Sequence, residues 1–142
     1  MENFLYDDFD VKVAEKNESH PFFGEGSRMG YVIDGVQGKT LRLVRGIGYN
    51  LKIDTPGHPF YFTTDSVGGL GSPGSLMGNL NPIDQGVMNF VVPANFPDNL
   101  YYMCSRHPSM GGRVEVRNNE MMMIPTPPLA EVRYRDISNV NN

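Results

Sequence analysis

The sequence predicts an all-β sandwich with an extended C-terminal arm, and three observations predict it. Short segments rich in Val, Tyr, Phe and Leu alternate apolar and polar positions, the pattern of half-buried strands. Gly, Pro, Asn and Asp separate these segments at short intervals. Helical periodicity is absent.

About eight strands fit within residues 1–117. Residues 11–14 and 29–33 are the first two. In 41–45, Leu41 and Leu43 share one face while Arg42 points the other way; in 49–53, Tyr49, Leu51 and Ile53 oppose Asn50 and Lys52. Gly46-Ile47-Gly48 between them reads as a hairpin turn. Further strands fall at 58–64, 87–92, 100–104 and 113–117. Residues 66–85 carry Gly68, Gly69, Gly71, Gly74 and Gly78 with Pro73 and Pro82, so they read as a long surface connection with room for a short helix. After Arg117 the composition changes to Asn-Asn-Glu-Met-Met-Met-Ile-Pro-Thr-Pro-Pro and ends rich in Asn. Residues 1–117 therefore read as one sandwich domain and 118–142 as an appended arm.

Bulk properties narrow the function. A chain of 142 residues supports one hydrophobic core, and 39% hydrophobic with 20% charged residues excludes a disordered chain. The net charge of -4, with dispersed Lys and Arg, leaves no footprint for nucleic acid. The N-terminus lacks a basic region and an apolar core of the signal-peptide kind, and no apolar run is long enough to span a membrane. The expectation is a soluble, unsecreted chain, intracellular or associated with a virus particle.

The chemistry concentrates in Leu100-Tyr-Tyr-Met-Cys-Ser-Arg-His-Pro-Ser-Met-Gly-Gly112. With one cysteine in the chain, Cys104 serves as a thiol, a thiolate ligand or an intermolecular link. His107 and Met110 follow it in a loop that Pro108 and the Gly111-Gly112 pair help to turn back. Thiolate, imidazole and thioether form a soft donor set suited to copper, and a His₂Cys plane with a weak axial Met is the arrangement of blue-copper centres. Alternation supplies the second histidine: His58 shares a face with Phe60 and Phe62, and Cys104 with Leu100 and Tyr102, so both project from the apolar side of their strands.

These residues resemble the cupredoxin family of blue copper proteins over roughly residues 40–116. Cys-x-x-His-Pro-x-Met is most similar to the ligand loop of amicyanins. Ser19-His-Pro-Phe-Phe-Gly, Gly57-His-Pro-Phe and the ligand loop also resemble cupredoxin-like modules of large viruses and marine phages. The resemblance implies a Greek-key β-sandwich holding one mononuclear copper. His58 and His107 would be imidazole ligands, Cys104 the short thiolate ligand and Met110 the long axial one. It implies a carrier cycling between Cu(I) and Cu(II) and exchanging electrons with a redox protein partner; the alternative is a structural or attachment module among virion proteins, with copper incidental or stabilising. Most members have an Asn after the first histidine whose backbone N–H bonds the thiolate, whereas Pro59 has none to give, and Pro108 removes another donor. That departure implies a lower reduction potential than relatives with a donor there.

Plainer readings compete. Met110 alone could be a core filler, with a carbonyl or an open position on the axis instead. His20 is a satisfied histidine or a metal-adjacent group. Tyr101, Tyr102, Phe60 and Phe62 are assigned to packing rather than to an electron path. Met121-Met122-Met123 suits a docking arm, for oligomer or partner contacts, better than copper loading. Arg106, Arg113 and Arg117 solvate a face or steer an acidic partner, the former preferred. Enzymatic copper chemistry is excluded by counting: a binuclear electron-transfer centre needs a second cysteine, and a multicopper oxidase needs more than the three histidines present.

Overall fold

Alternating apolar residues form strands because one face can be buried against a second sheet while the other stays solvated. The computed structural model describes residues 6–69 and 81–119. They form nine strands: β1 (Tyr6–Glu15), β2 (Met29–Ile33), β3 (Val36–Gln37), β4 (Leu41–Val44), β5 (Gly48–Asp54), β6 (Phe60–Thr63), β7 (Gln85–Val91), β8 (Asn99–Cys104) and β9 (Gly112–Arg117). One sheet has the order β3-β2-β1-β5-β7 and the other β4-β9-β8-β6. β1 runs parallel to β5, and β4 to β9. The described residues thus form an all-β arrangement of two sheets, and among them no helix is long and apolar enough to cross a membrane.

Gly46-Ile47-Gly48 is not a hairpin turn, because β4 and β5 belong to different sheets. The segment carries the chain from one sheet to the other: Gly46 N–H donates to Val92 O at 2.9 Å, and Val92 N–H to Ile47 O at 3.0 Å. Leu41 and Leu43 on β4, and Tyr49, Leu51 and Ile53 on β5, all face the common core. An apolar face turned inward looks the same in sequence whether the next strand pairs beside it or crosses over it. The β3 strand was not anticipated; Asp34 and Gly35, at φ 51° and 80°, form the two-residue turn that pairs it with β2.

The core lies between the sheets and is aromatic toward its centre. Phe60 stacks on Tyr102 at 5.3 Å, Tyr31 meets Phe60 edge-on at 5.4 Å, and Phe62 packs on Phe90 at 5.1 Å. Phe60, Phe62 and Tyr102 are core residues, as expected; Tyr101 is half-buried. At the sandwich end where β4 stops, the Arg45 guanidinium is buried against Phe96 O at 2.6 Å, Asp98 at 2.7 Å and Asn118 at 3.0 Å. Cys104 ends β8 at the opposite end. Of the 66–85 connection, residues 70–80 lie outside the described residues, as do 120–142, which include Met121-Met122-Met123.

Candidate metal centre

Register delivers the first two donors. Phe60 pairs with Cys104 in the β6–β8 ladder, so His58, two residues before Phe60, stands beside the cysteine. It does not lie in the strand itself but at the close of a tight turn. His58 N–H donates to Thr55 O at 2.8 Å across Pro56 and Gly57, the latter at φ 83°. That is the pattern of a type II turn, with Pro at its second position and a residue of positive φ at its third. Asp84 accepts from Gly57 N–H at 2.9 Å and anchors the turn. Two hydroxyls hold the His58 carbonyl, from Thr55 and from Tyr31, each at 2.8 Å.

The loop after Cys104 brings the third donor. His58, Cys104 and His107 place one ligand atom each within 4.8 Å of one another. Cys104 is fully buried and both histidines are half-buried. Cys104 Sγ lies 3.9 Å from His58 Nδ1 and 3.7 Å from His107 Nδ1, and the two rings are 4.7 Å apart. With bond lengths of the size zinc makes, about 2.0–2.1 Å to nitrogen and about 2.3 Å to sulfur, donors in a trigonal plane lie about 3.8 Å apart and tetrahedral ones about 3.6 Å. The two observed distances, 3.7 and 3.9 Å, are of the size that ligands sharing one ion require. Arg106 N–H donates to the same sulfur at 3.3 Å. Burial pushes the His58 imidazole below its ordinary value, and His107 and Arg106 push the same way, so the ring is held neutral, the form that binds metal.

Met110 is fully buried in the core cluster, and its carbonyl accepts from Tyr31 N–H at 2.8 Å. The loop is braced from outside: Ser109 N–H donates to Val67 O at 2.7 Å, Ser27 N–H to Pro108 O at 3.0 Å, and Gly69 N–H to Cys104 O at 2.8 Å. Gly111 is present for space rather than for turning, since a Cβ there would sit 1.6 Å from Tyr102 O. The turn instead places Ser109 at φ 61°. Pro59 accepts from Ser105 N–H at 2.9 Å through its carbonyl.

His20 is outside the three-donor group and 3% exposed. Its Nδ1 accepts from Phe22 N–H at 3.0 Å, and its Nε2 lies 3.1 Å from Met110 O. Burial pushes its pKa down. Of the arginines, Arg113 pairs with Glu115 at 3.0 Å on an exposed face, and Arg106 is exposed. Tyr31, Thr55, Asp84 and Gly57 did not stand out in the sequence. The Thr55-Pro-Gly-His58 turn was the one available signal, since Pro-Gly marks a type II turn.

No family model matches the chain, and neither does any curated protein. Among solved structures, the copper protein rusticyanin aligns at 16% identity and a TM-score of 0.45, covering 76% of each chain. A copper nitrite reductase from Nitrosomonas europaea aligns at 14% and 0.44, covering 84% of this chain and 44% of that one. A multi-copper oxidase from Pseudomonas thermotolerans aligns at 17% and 0.43, covering 80% and 30%. The described residues form a two-sheet β-sandwich, one end of which carries a His-Cys-His group that could hold a metal ion.

Proposed function

We propose that the chain is a mononuclear blue-type copper protein that carries one electron at a time between protein partners. His58, Cys104 and His107 are the in-plane ligands and Met110 the axial one. The observation that carries this reading is the placement of two histidine Nδ1 atoms at 3.7 and 3.9 Å from one buried cysteine sulfur. A soft, three-coordinate set of this kind suits copper, with a thioether on the axis. Bound copper would supply the Cu(I)/Cu(II) couple.

The chain's part is to keep the donors still. The Thr55–His58 turn and the Tyr31 hydroxyl fix the His58 backbone, and the β6–β8 ladder fixes Cys104. A frame that does not rearrange with oxidation state keeps electron exchange fast. Half-buried His107 is where a partner approaches. No proton donor or acceptor is needed, and the chain is a carrier rather than an enzyme.

The test is to add Cu(II) to the purified protein and record its visible spectrum. An intense thiolate-to-copper band, lost in Cys104→Ala, supports the reading; its absence from the unaltered protein ends it. The division into a sandwich over 1–117 and an arm over 118–142 belongs to this proposal. The attachment-module reading draws on that arm, and no observation within the described residues favours it.

A further inference from the structure

His20 is the buried histidine that the metal group does not use. Its ring has one set of roles. Nδ1 accepts from Phe22 N–H at 3.0 Å, which places the proton on Nε2, and Nε2–H then donates to Met110 O at 3.1 Å. The same carbonyl accepts from Tyr31 N–H at 2.8 Å. Two donors occupy both lone pairs of that oxygen. Gly30 and Gly38 leave the room the ring occupies: a Cβ on Gly30 would lie 2.6 Å from Nε2, and one on Gly38 3.1 Å from it. His20 N–H is tied to Asn17 O at 2.9 Å, closing the turn that carries the ring.

We propose that His20 is a positioning residue for the metal centre: its Nε2–H, acting with Tyr31 N–H, pins the main chain at Met110 and so sets where the thioether stands relative to the His58–Cys104–His107 plane. The inference rests on the reading of Met110 as the axial ligand. It gives the Ser19-His-Pro-Phe-Phe segment a role, since that segment contributes no ligand yet reaches the ligand loop through this bond. Residues behind a ligand tune a metal by fixing the ligand's orientation, and their loss commonly costs about 10–100-fold in affinity.

Two substitutions separate positioning from mere filling of space. His20→Gln keeps a side-chain N–H donor at comparable reach, whereas His20→Leu keeps bulk and removes the donor. Copper affinity by chelator competition, the visible and electron paramagnetic spectra, and amide exchange at Tyr31 in the metal-free protein are compared with the unaltered chain. The Leu variant should bind copper about tenfold more weakly, with a shifted spectrum. Its Tyr31 amide should exchange faster, and the Gln variant should stay close to the unaltered protein on all three readouts. An unchanged spectrum and affinity in the Leu variant, or a Gln variant as impaired as the Leu one, overturns the proposal. If His20→Leu does not fold, Gly30→Ala, which crowds Nε2 without removing it, must shift the spectrum, and a native spectrum there overturns it. Failure of the unaltered protein to show a copper band defeats the copper reading instead. Metal-free exchange at Tyr31 then decides the clamp alone: faster exchange in Leu but not Gln upholds it, and equal exchange overturns it.

Discussion

The charge a thiolate can give to a metal falls with each hydrogen bond it accepts. Cys104 Sγ accepts from Arg106 N–H at 3.3 Å, while the neighbouring Pro59 offers only a carbonyl, which Ser105 N–H occupies. Pro59→Asn supplies a main-chain N–H next to Phe60, the residue that pairs with Cys104. Protein voltammetry on copper-loaded protein should show a higher reduction potential in that variant; an unchanged potential would show that residue 59 does not tune the site. That Cys104 and His107 would stand together was legible because they share one short loop and alternation turns Cys104 inward; His58 joins them from the turn before β6 rather than from the strand the alternation suggested. The residues behind them were not. Tyr31 reaches His58 O only because β2 lies across the core from β6, a relation between sheets that no local pattern encodes.

Among the elements, strand positions followed from two-residue alternation, and strand partners did not. Residues 29–33 and β2 coincide, yet the 46–48 segment joins two sheets where a hairpin was expected, since inward-facing Leu43 and Tyr49 fit either path. Asp34-Gly35 was a readable hairpin signal, passed over because β3 is only two residues long. The joint between β8 and β9 leaves no room for a side chain at Gly111 or Gly112. Gly111→Ala forces a methyl into the Tyr102 carbonyl, and a Cβ on Gly112 would lie 2.6 Å from Gly38 O. Gly111→Ala should lower unfolding free energy by about 3 kcal/mol or more, read from the urea midpoint; a loss under about 0.5 kcal/mol would mean that the loop relaxes freely.

At the scale of the whole molecule, the core is built on phenols as well as hydrocarbons. Burial raises the pKa of Tyr31, Tyr61 and Tyr102 above the ordinary phenol value. The unfolded chain would release these protons near pH ~10 while the folded one retains them. The stability they lend is therefore complete below that pH and is lost as pH climbs through the folded values. Urea midpoints should stay level up to pH ~10 and then fall, alongside growing phenolate absorbance; a level profile up to pH ~12 would show that the phenols ionise without unfolding.

The parallel pairing of β4 with β9 joins Leu41 to Val114, and β9 also pairs with β8. During synthesis, β4 must therefore wait for nearly the whole sandwich to emerge before its partner exists, and closing so long a span is slow. The loop bearing His107 and Met110 is closed only when β9 docks. If the proposed copper reading holds, metal would then reach a finished protein rather than guide a growing one. Refolding from urea, followed by tyrosine fluorescence, should run at the same rate with or without copper, and a marked acceleration by copper would show that the ion enters before the last strand is in place.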